Sequence, residues 1–458
     1  MSTQAEKKKT GFWNMMDGLQ GDKVIWIIVF FLIMSSILAI SSSTSLLALQ
    51  QKSSRISIAM EQVIMSVVGL GIIGFLYRFG NVGLFRLLSK YGFVTSFFLL
   101  AFLASHFQGI PIFKPVQINK AWRCISIFGF QLHVFEFVKV LMIMYVAWAM
   151  DAIKTGRTAL ADELSKINHL RWLKTDAGKK CFYVIGPILM TTMMIALGSN
   201  SSAMFIGLVM IATALIGGLD LKYIAILCIA ACVGGGAIYG TYKLSGGKIF
   251  ERLGLVVDRL ALASNDPLKR LHQEEPGTLE FQKILDETRQ PVSAKVAVSE
   301  GGFFGKGPGK STQRYIVSVM YEDYMFSFIV EEYGIIGALL VIMLYGSLLA
   351  RGSIIVRNCE NHYAKTLVAG MVVLVSGQAL MHMFINVDLG PLTGQTLPMI
   401  SHGNSSFLAF SIVFGIILCI SKMAKKKIEQ ETAKAAPIIV KQDEVKDTLN
   451  DLDALEQL

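Results

Sequence analysis

Charge is the first thing this sequence has little of. Only 17% of its 458 residues are Asp, Glu, Lys or Arg, and 53% are hydrophobic, against about 25% charged and about 45–50% apolar residues in soluble domains. That balance excludes an ordinary water-soluble globular chain. The 6 cysteines include Cys228, Cys232 and Cys419 inside apolar runs, with no histidine at metal-ligand spacing, so they read as small buried hydrophobes. The 7 histidines are scattered and form no HExxH motif, which leaves no basis for a structural metal. No small-residue cleavage pattern follows the first apolar run, so that run is read as an anchored helix.

What the chain has in abundance is apolar runs of about 17–25 residues, each long enough to cross a ~30 Å hydrocarbon core as a helix. They start near Val24, Ser57, Tyr91, His133, Cys181, Ser202, Leu221, Tyr324, His362 and Ser406. The expectation is an all-α polytopic membrane protein with ten transmembrane helices. Lys and Arg near helix ends stay on the cytoplasmic side. Lys7, Lys8, Lys9 and Lys23 therefore place the N-terminus inside, and Lys422, Lys425, Lys426 and Lys427 place the C-terminus there too. The cytoplasmic connections would be 79–90 with Arg86 and Lys90, 153–180 with seven basic residues from Lys154 to Lys180, and 351–365 with Arg351, Arg357 and Lys365. The net charge of +10 then reflects orientation and anionic lipid. No nucleic-acid partner is expected, because the basic residues are not gathered with aromatics on one module.

Three units follow: a cytoplasmic segment 1–23, a membrane domain 24–425 and a cytoplasmic tail 426–458. Within the membrane domain, a large extracytoplasmic loop, 242–322, lies between the seventh and eighth helices. Its first half, through RLALASNDPLKRLHQEEPGTLEFQKILDETRQP, has the periodicity of short amphipathic helices on the membrane surface. The tail is read as disordered, with Leu449, Leu452, Leu455 and Leu458 about one turn apart in VKDTLNDLDALEQL as a weak partner-binding helix.

The second half of the loop, GGFFGKGPGKSTQ, approaches a Walker A motif but fails it. Counting back from Gly309-Lys310-Ser311 puts Phe304 where the first glycine of GxxxxGK[ST] belongs, and no strand precedes it. No nucleotide is expected. The glycines with Lys306, Lys310 and Arg314 read instead as a positively charged lip whose N–H groups and side chains approach phosphates. Asp323 stands at the first turn of the eighth helix, where an ionised acid meets the helix dipole favourably and can act as a base or bind a cation. Ser327 and Glu331 fall near its face, with Glu332 one position round. Acids at membrane depth usually face a protein interior or a water-filled cavity. Ahead of the fourth helix lies Arg123, and within that helix Glu136 and Lys139 are spaced to pair. In the ninth, Gln378, His382 and Asn386 form a polar stripe suited to interhelical hydrogen bonds or a cavity wall.

These residues resemble the SEDS family, which includes FtsW, RodA and SpoVE, over about residues 20–425. GGFFGKGPGKSTQ followed by EDYMFSFIVEEYGIIG is similar to the family's GGxxGxGxGxSxQ loop and EExG helix. GPLTGQTLPMISHGNSS is similar to its PvTGxxLPfiSyGGSS and brings in Ser401. Arg123 matches the Arg of NGAxRW, and Glu136 and Lys139 match the acid and base of PSExxK. The departures are Val134-Phe135 for the PS, Cys124 for the Trp, His402-Gly403-Asn404 for the YGG, and Ser199-Asn200-Ser201-Ser202 where PDxGTA should lie.

The resemblance, closest to the FtsW branch, implies a peptidoglycan glycosyltransferase of the bacterial cytoplasmic membrane that polymerises lipid II during division or elongation. Asp323 would be the catalytic base. Arg123, Glu136, Lys139, Lys306, Lys310, Glu331, Glu332 and Ser401 would bind substrate, with inversion and an undecaprenyl diphosphate leaving group. A divalent cation, Mg²⁺ or Mn²⁺, would assist, with no organic cofactor. The partners would be lipid II, the nascent glycan strand, a class B penicillin-binding protein as transpeptidase, and other divisome or elongasome membrane proteins. Two alternatives are carried alongside: a lipid II flippase, from a polar-lined bundle with buried carboxylates, and a non-catalytic scaffold that recruits the transpeptidase.

Overall fold

The structure is a computed structural model that describes residues 20–50, 52–105, 113–118, 121–127, 130–244, 276, 278–317, 319–390 and 394–424. The expected terminal segments, the surface helices before residue 276 and the leucine-bearing tail helix lie outside the described residues.

Helices occupy all ten apolar runs: α1 Lys23–Ser43, α2 Arg55–Phe79, α3 Val82–Ala104, α4 Val134–Lys154, α5 Asp176–Ala196, α6 Asn200–Ile216, α7 Leu221–Leu244, then, after one further helix, α9 Met325–Asn358, α10 His362–Asn386 and α11 Asn404–Ala424. The further helix is α8, Leu279–Gly301. Among the described residues 7 helices are long and apolar enough to cross a membrane: α1, α2, α3, α5, α9, α10 and α11. Of the others, α4 carries Glu136, Lys139, Asp151 and Lys154, and α6 has only 17 residues.

Three boundaries differ from the sequence reading. First, α3 begins at Val82, so the connection expected over 79–90 shrinks to Gly80 and Asn81. The Asn81 side chain caps the helix by accepting from Leu84 N at 2.7 Å, and Arg86 stays helical because Asp151 pairs with it at 3.2 Å. Second, the fold is not purely helical. Phe113–Ile118, Ala121–Ile127 and Phe130–His133 form a three-stranded antiparallel sheet, β1-β2-β3. Its central strand buries Cys124 and Ile125, which alternation places on opposite faces, and Cys124 pairs with Val116 and His133. Third, the loop helix α8 is 23 residues long. It buries Ile284, Thr288, Ala294 and Ala297 at helical spacing, and Gly301 meets the Val330 carbonyl of α9 so closely that a Cβ there would lie 2.2 Å from it.

Helix α9 is interrupted at Gly334, whose backbone is non-helical at φ 66°, ψ −162°. A side chain there would strike the Phe303 carbonyl, so glycine alone lets the glycine-rich loop lie against the bend. The part after Gly334 is about 36 Å long at 1.5 Å per residue and by itself covers a ~30 Å core. Glu331 and Glu332 precede the bend, on a short initial segment, and need not lie at membrane depth. The cysteine reading is also corrected at one position: Cys124, Cys359 and Cys419 are buried, but Cys232 is exposed on α7.

Candidate active site

Asp323 stands one residue before the end of a run of turns that leads through Tyr324 into α9. Its N–H donates to Val319 O at 3.0 Å, and its carbonyl accepts from Asn386 Nδ2 of α10 at 3.0 Å. Across from the side chain lies Gly394, at φ +60°, where a Cβ would come within 3.5 Å of Asp323 Oδ2. Burial pushes the Asp323 carboxyl up to about 6, partly offset by the Arg123 guanidinium on β2. Burial, followed by the charge of Asp323, pushes neighbouring Glu322 up to about 7. Two adjacent acids are thus poised near neutrality on one half-buried turn, which suits proton transfer at cellular pH.

The segment after Gly394 is tied to this turn. Ser401 Oγ donates to the Glu322 carbonyl at 2.8 Å while accepting from Leu397 N at 2.9 Å, and His402 N donates to Tyr321 O at 2.9 Å. The polar stripe of α10 supplies the remaining struts. Asn386 Oδ1 accepts from both N and Oγ of Ser327 at 2.9 Å. His382 Nε2 accepts from Phe326 N at 3.3 Å, so its Nδ1 carries the proton donated to Gln395 O at 2.7 Å. Gln378 accepts from Lys139 Nζ at 2.8 Å and donates to Thr396 O at 2.9 Å. Of the two readings of the stripe, interhelical and loop-bridging hydrogen bonding describes it.

Lys139 is 1% exposed and held between Gln378 and Glu136, whose Oε1 lies 2.8 Å away. It is an internal cation of the wall. Arg123 donates from Nε to Gly198 O at 3.2 Å, and Gly198 precedes the start of α6. There Ser199 takes the N-cap position, its Oγ accepting from Ser202 N at 3.3 Å, and Ser202 Oγ accepts from Gln395 Nε2 at 2.9 Å. The serines that replace the family's PDxGTA therefore bridge α6 to the segment facing Asp323.

Glu331 and Glu332, both 0% exposed, do not line an open cavity. Glu331 Oε1 accepts from Lys306 Nζ at 2.7 Å and Thr312 N at 2.8 Å, and its Oε2 accepts from Ser311 Oγ at 2.5 Å. Glu332 Oε1 accepts from Ser42 Oγ of α1 at 2.6 Å, with Arg314 Nη1 at 3.7 Å. Main-chain N–H groups of Lys306 and Gly307 donate to the carbonyls of Glu331 and Glu332 at 2.9 and 3.0 Å. The loop expected to aim its donors at phosphate instead turns these donors inward, helped by left-handed Gly302, Gly305, Gly307 and Gly309. Lys306 also pairs with Glu300. Lys310 is exposed.

The structure thus brings Asp323, Ser401 and Arg123 to one site, holds Glu136 and Lys139 as a pair behind it, and gathers Lys306, Glu331 and Glu332 into a separate clamp. Sequence reasoning missed Glu322, Ser42 and Gln395. Only Glu322 left a signal, the adjacent acid in EDY.

A family model described as "Cell cycle protein", FtsW/RodA/SpoVE, matches residues 22–426. The chain is 28% identical over 331 residues to a "Probable peptidoglycan glycosyltransferase FtsW" of Bacillus subtilis, a match spanning 70% of this chain and 72% of that one. It is 34% identical over 143 residues to the protein of that name from Caulobacter vibrioides, spanning 30% of this chain and 37% of the relative. Among solved structures, a chain of a peptidoglycan synthase complex that coordinates polymerization and crosslinking superposes with a TM-score of 0.57 at 17% identity, covering 88% of this chain and 98% of that one. The rod shape determining protein RodA of Thermus thermophilus superposes with a TM-score of 0.52 at 17% identity, covering 89% and 98%. With its membrane-length helices, this is a multi-pass protein of the bacterial cytoplasmic membrane. Matched from residue 22 to residue 426, the chain belongs to the FtsW/RodA/SpoVE family of cell cycle proteins.

Proposed function

We propose that this protein is a peptidoglycan glycosyltransferase that polymerises lipid II at the outer surface of the cytoplasmic membrane, with all ten apolar helices crossing, both termini inside and the segment between α7 and α9 outside. The observation that carries the reading is Asp323: a carboxylate half-buried beside Gly394 in the field of Arg123, with its pKa pushed up to about 6. A general base works best with a pKa near the operating pH.

In the reaction the 4-hydroxyl of the GlcNAc of an incoming lipid II attacks the anomeric carbon of the MurNAc at the end of the growing strand. Asp323 takes the hydroxyl proton, the new C–O bond forms with inversion, and the bond to undecaprenyl diphosphate breaks, the electron pair leaving with the phosphate oxygen. Arg123 and Lys310 stabilise the diphosphate charge. Ser401, Glu136 and Lys139 keep the Asp323 turn and the 394–401 segment in place, while Glu331, Glu332 and Lys306 hold the loop that carries Lys310.

A divalent cation would offset diphosphate charge when bound. Among the described residues no three His, Cys, Asp or Glu come together. Glu322 and Asp323 fit the sparser pattern in which one or two carboxylates hold Mg²⁺ together with substrate phosphates. The likeness to a chain from a polymerising and crosslinking complex supports a class B penicillin-binding protein as partner. The carboxylates that motivated a flippase are closed into the loop clamp, which favours the polymerase.

The test is purified protein with labelled lipid II, Mg²⁺ or Mn²⁺ and its partner transpeptidase. Glycan strands that disappear with Asp323→Ala support the reading. Lipid II scrambling across vesicles without polymer would favour the flippase, and growth of depleted cells on Asp323→Ala would favour the scaffold.

A further inference from the structure

By the orientation proposed above, the connection from α4 to α5 is cytoplasmic. It folds back on the start of α5. Ala161 N, in the short helix Ala159–Leu164, donates at 3.3 Å to the hydroxyl of Tyr183, about two turns into α5. The 3₁₀ helix Asn168–Lys174 lays its backbone against Gly178, where a Cβ would come 2.1 Å from the Trp172 carbonyl. Lys180, less than a turn further on, pairs at 3.0 Å with Asp220 in the turn between α6 and α7. The connection therefore stays level with the helix ends, at the height of the lipid headgroups.

In a 3₁₀ helix the side chains at i and i+3 eclipse one another. Here Leu170 and Leu173 make the inner row, packed on the core. His169 and Trp172 make a second row, and Arg171 and Lys174 a third, both rows exposed. Trp172 is 48% exposed, and Ile167, just ahead of the helix, 52%. Each acid of the connection is already taken by a lysine: Glu163 by Lys166 at 2.7 Å, Asp162 by Lys179 at 2.7 Å and Asp176 by Lys180 at 2.8 Å. Arg157, Arg171 and Lys174 stay exposed, without an ion pair among the described residues.

We propose that this connection binds anionic phospholipid of the inner leaflet, with Ile167 and Trp172 seated at the boundary of headgroups and acyl chains and Arg171 and Lys174 on lipid phosphates. Amphipathic rings such as that of Trp collect at the membrane–water interface, and basic side chains beside them draw anionic lipid. A zwitterionic surface would accept Ile167 and Trp172 but leave the row of Arg171 and Lys174 without a counter-charge. The row therefore selects the sign of the headgroup, while the apolar pair sets the depth.

Trp172 is a native reporter. The full chain in lipid nanodiscs is titrated with lipid brominated near the headgroup end of its acyl chains, either phosphatidylglycerol or phosphatidylcholine at the same fraction, and tryptophan fluorescence is followed. The part of the quenching that Trp172→Phe removes belongs to Trp172. Brominated phosphatidylglycerol should quench that part about fivefold more effectively, the enrichment that one basic side chain gives near an anionic surface. Arg171→Gln/Lys174→Gln should abolish the preference, as should raised salt. Equal quenching by the two lipids would mean lipid contact without selection of anionic headgroups and would overturn the proposal. No quenching by either places Trp172 away from the bilayer, and the proposal falls with it. The nanodisc presents the same lipids on both faces and the readout needs no lipid II, so neither failure bears on the orientation or on the polymerase reading.

Discussion

Asn386 donates from Nδ2 to the main-chain oxygen of Asp323 at 3.0 Å while its Oδ1 accepts from the N–H and hydroxyl of Ser327. One buried amide of α10 therefore fixes the carboxylate-bearing turn and the first turn of α9 together. Replacing it by Leu leaves those backbone groups without a partner, at about 1–3 kcal/mol. The Asn386→Leu protein should polymerise lipid II at least tenfold more slowly, with KM changed by less than about threefold, because the residue orients Asp323 and does not touch substrate. A KM effect with unchanged kcat would assign Asn386 to substrate binding instead.

The titration of Asp323 sets the pH profile. Only the ionised carboxylate accepts a proton, so the rate should climb about tenfold per unit below pH 6 and level off above it. Arg123 holds the Asp323 pKa below the value that burial alone would give. In Arg123→Leu the midpoint should move upward, while Glu322→Gln should leave it near 6. The sign for stability is opposite. The folded state keeps the Asp323 proton up to about 6, whereas the unfolded chain releases it near the ordinary 3.8. Stability present below 3.8 is therefore lost as pH rises through about 6. Asp323→Asn should be inactive yet melt at or above the parent's temperature at pH 7.5, and a clear loss of Tm there would contradict the burial argument.

Glu331 is the acid whose loss should hurt the loop most. It accepts from Lys306, Ser311 and Thr312; Lys306 keeps Glu300 as a partner, but leaving the buried Ser311 hydroxyl and the Thr312 N–H without an acceptor costs about 1–3 kcal/mol each. Glu331→Ala should expose the 303–310 loop to proteolysis and lower Tm by several degrees. A similar outcome is expected for Gly334→Ala, where an added Cβ meets the Phe303 carbonyl at a left-handed φ. Limited digestion followed by mass mapping reads both.

The apolar runs were legible because hydropathy is a local property, and all ten carry helices. Arg86 and Lys90 misled the reading of the third start. Their charges are accommodated on α3 by Asp151 and by the ring of Tyr91, 5.6 Å from Lys90 Nζ, contacts that no window of sequence reveals. The small sheet was hidden for another reason: its strands of 4 to 7 residues are shorter than the hydropathy periods that dominate this chain. Asp323 was legible from its motif and its place at a helix start. The backbone break beside Glu331 and Glu332 was not legible, because a glycine inside an apolar helix gives no sign of one. Glu322, Ser42 and Gln395 acquire their roles from contacts across the fold.

The missing PDxGTA aspartate gives the last prediction. At the start of α6 the Ser199 hydroxyl accepts from Ser202 N, as a capping carboxylate would, and donates to Ser202 Oγ at 2.9 Å; with Asp in its place the Ser202 hydroxyl would be the donor. Ser and Asp are near-equal N-caps, and an acid gains about 0.3–1 kcal/mol from the helix dipole. Ser199→Asp should therefore keep polymerisation within about twofold and raise Tm slightly. Ser199→Ala removes the cap and should lower stability by about 1 kcal/mol. It should also slow the reaction several-fold, because Ser202, which shares that hydrogen bond, holds Gln395 beside the glycine facing Asp323. Equal activity of the Ala and Asp variants would mean that the cap and the Ser202–Gln395 bridge do not communicate with the carboxylate.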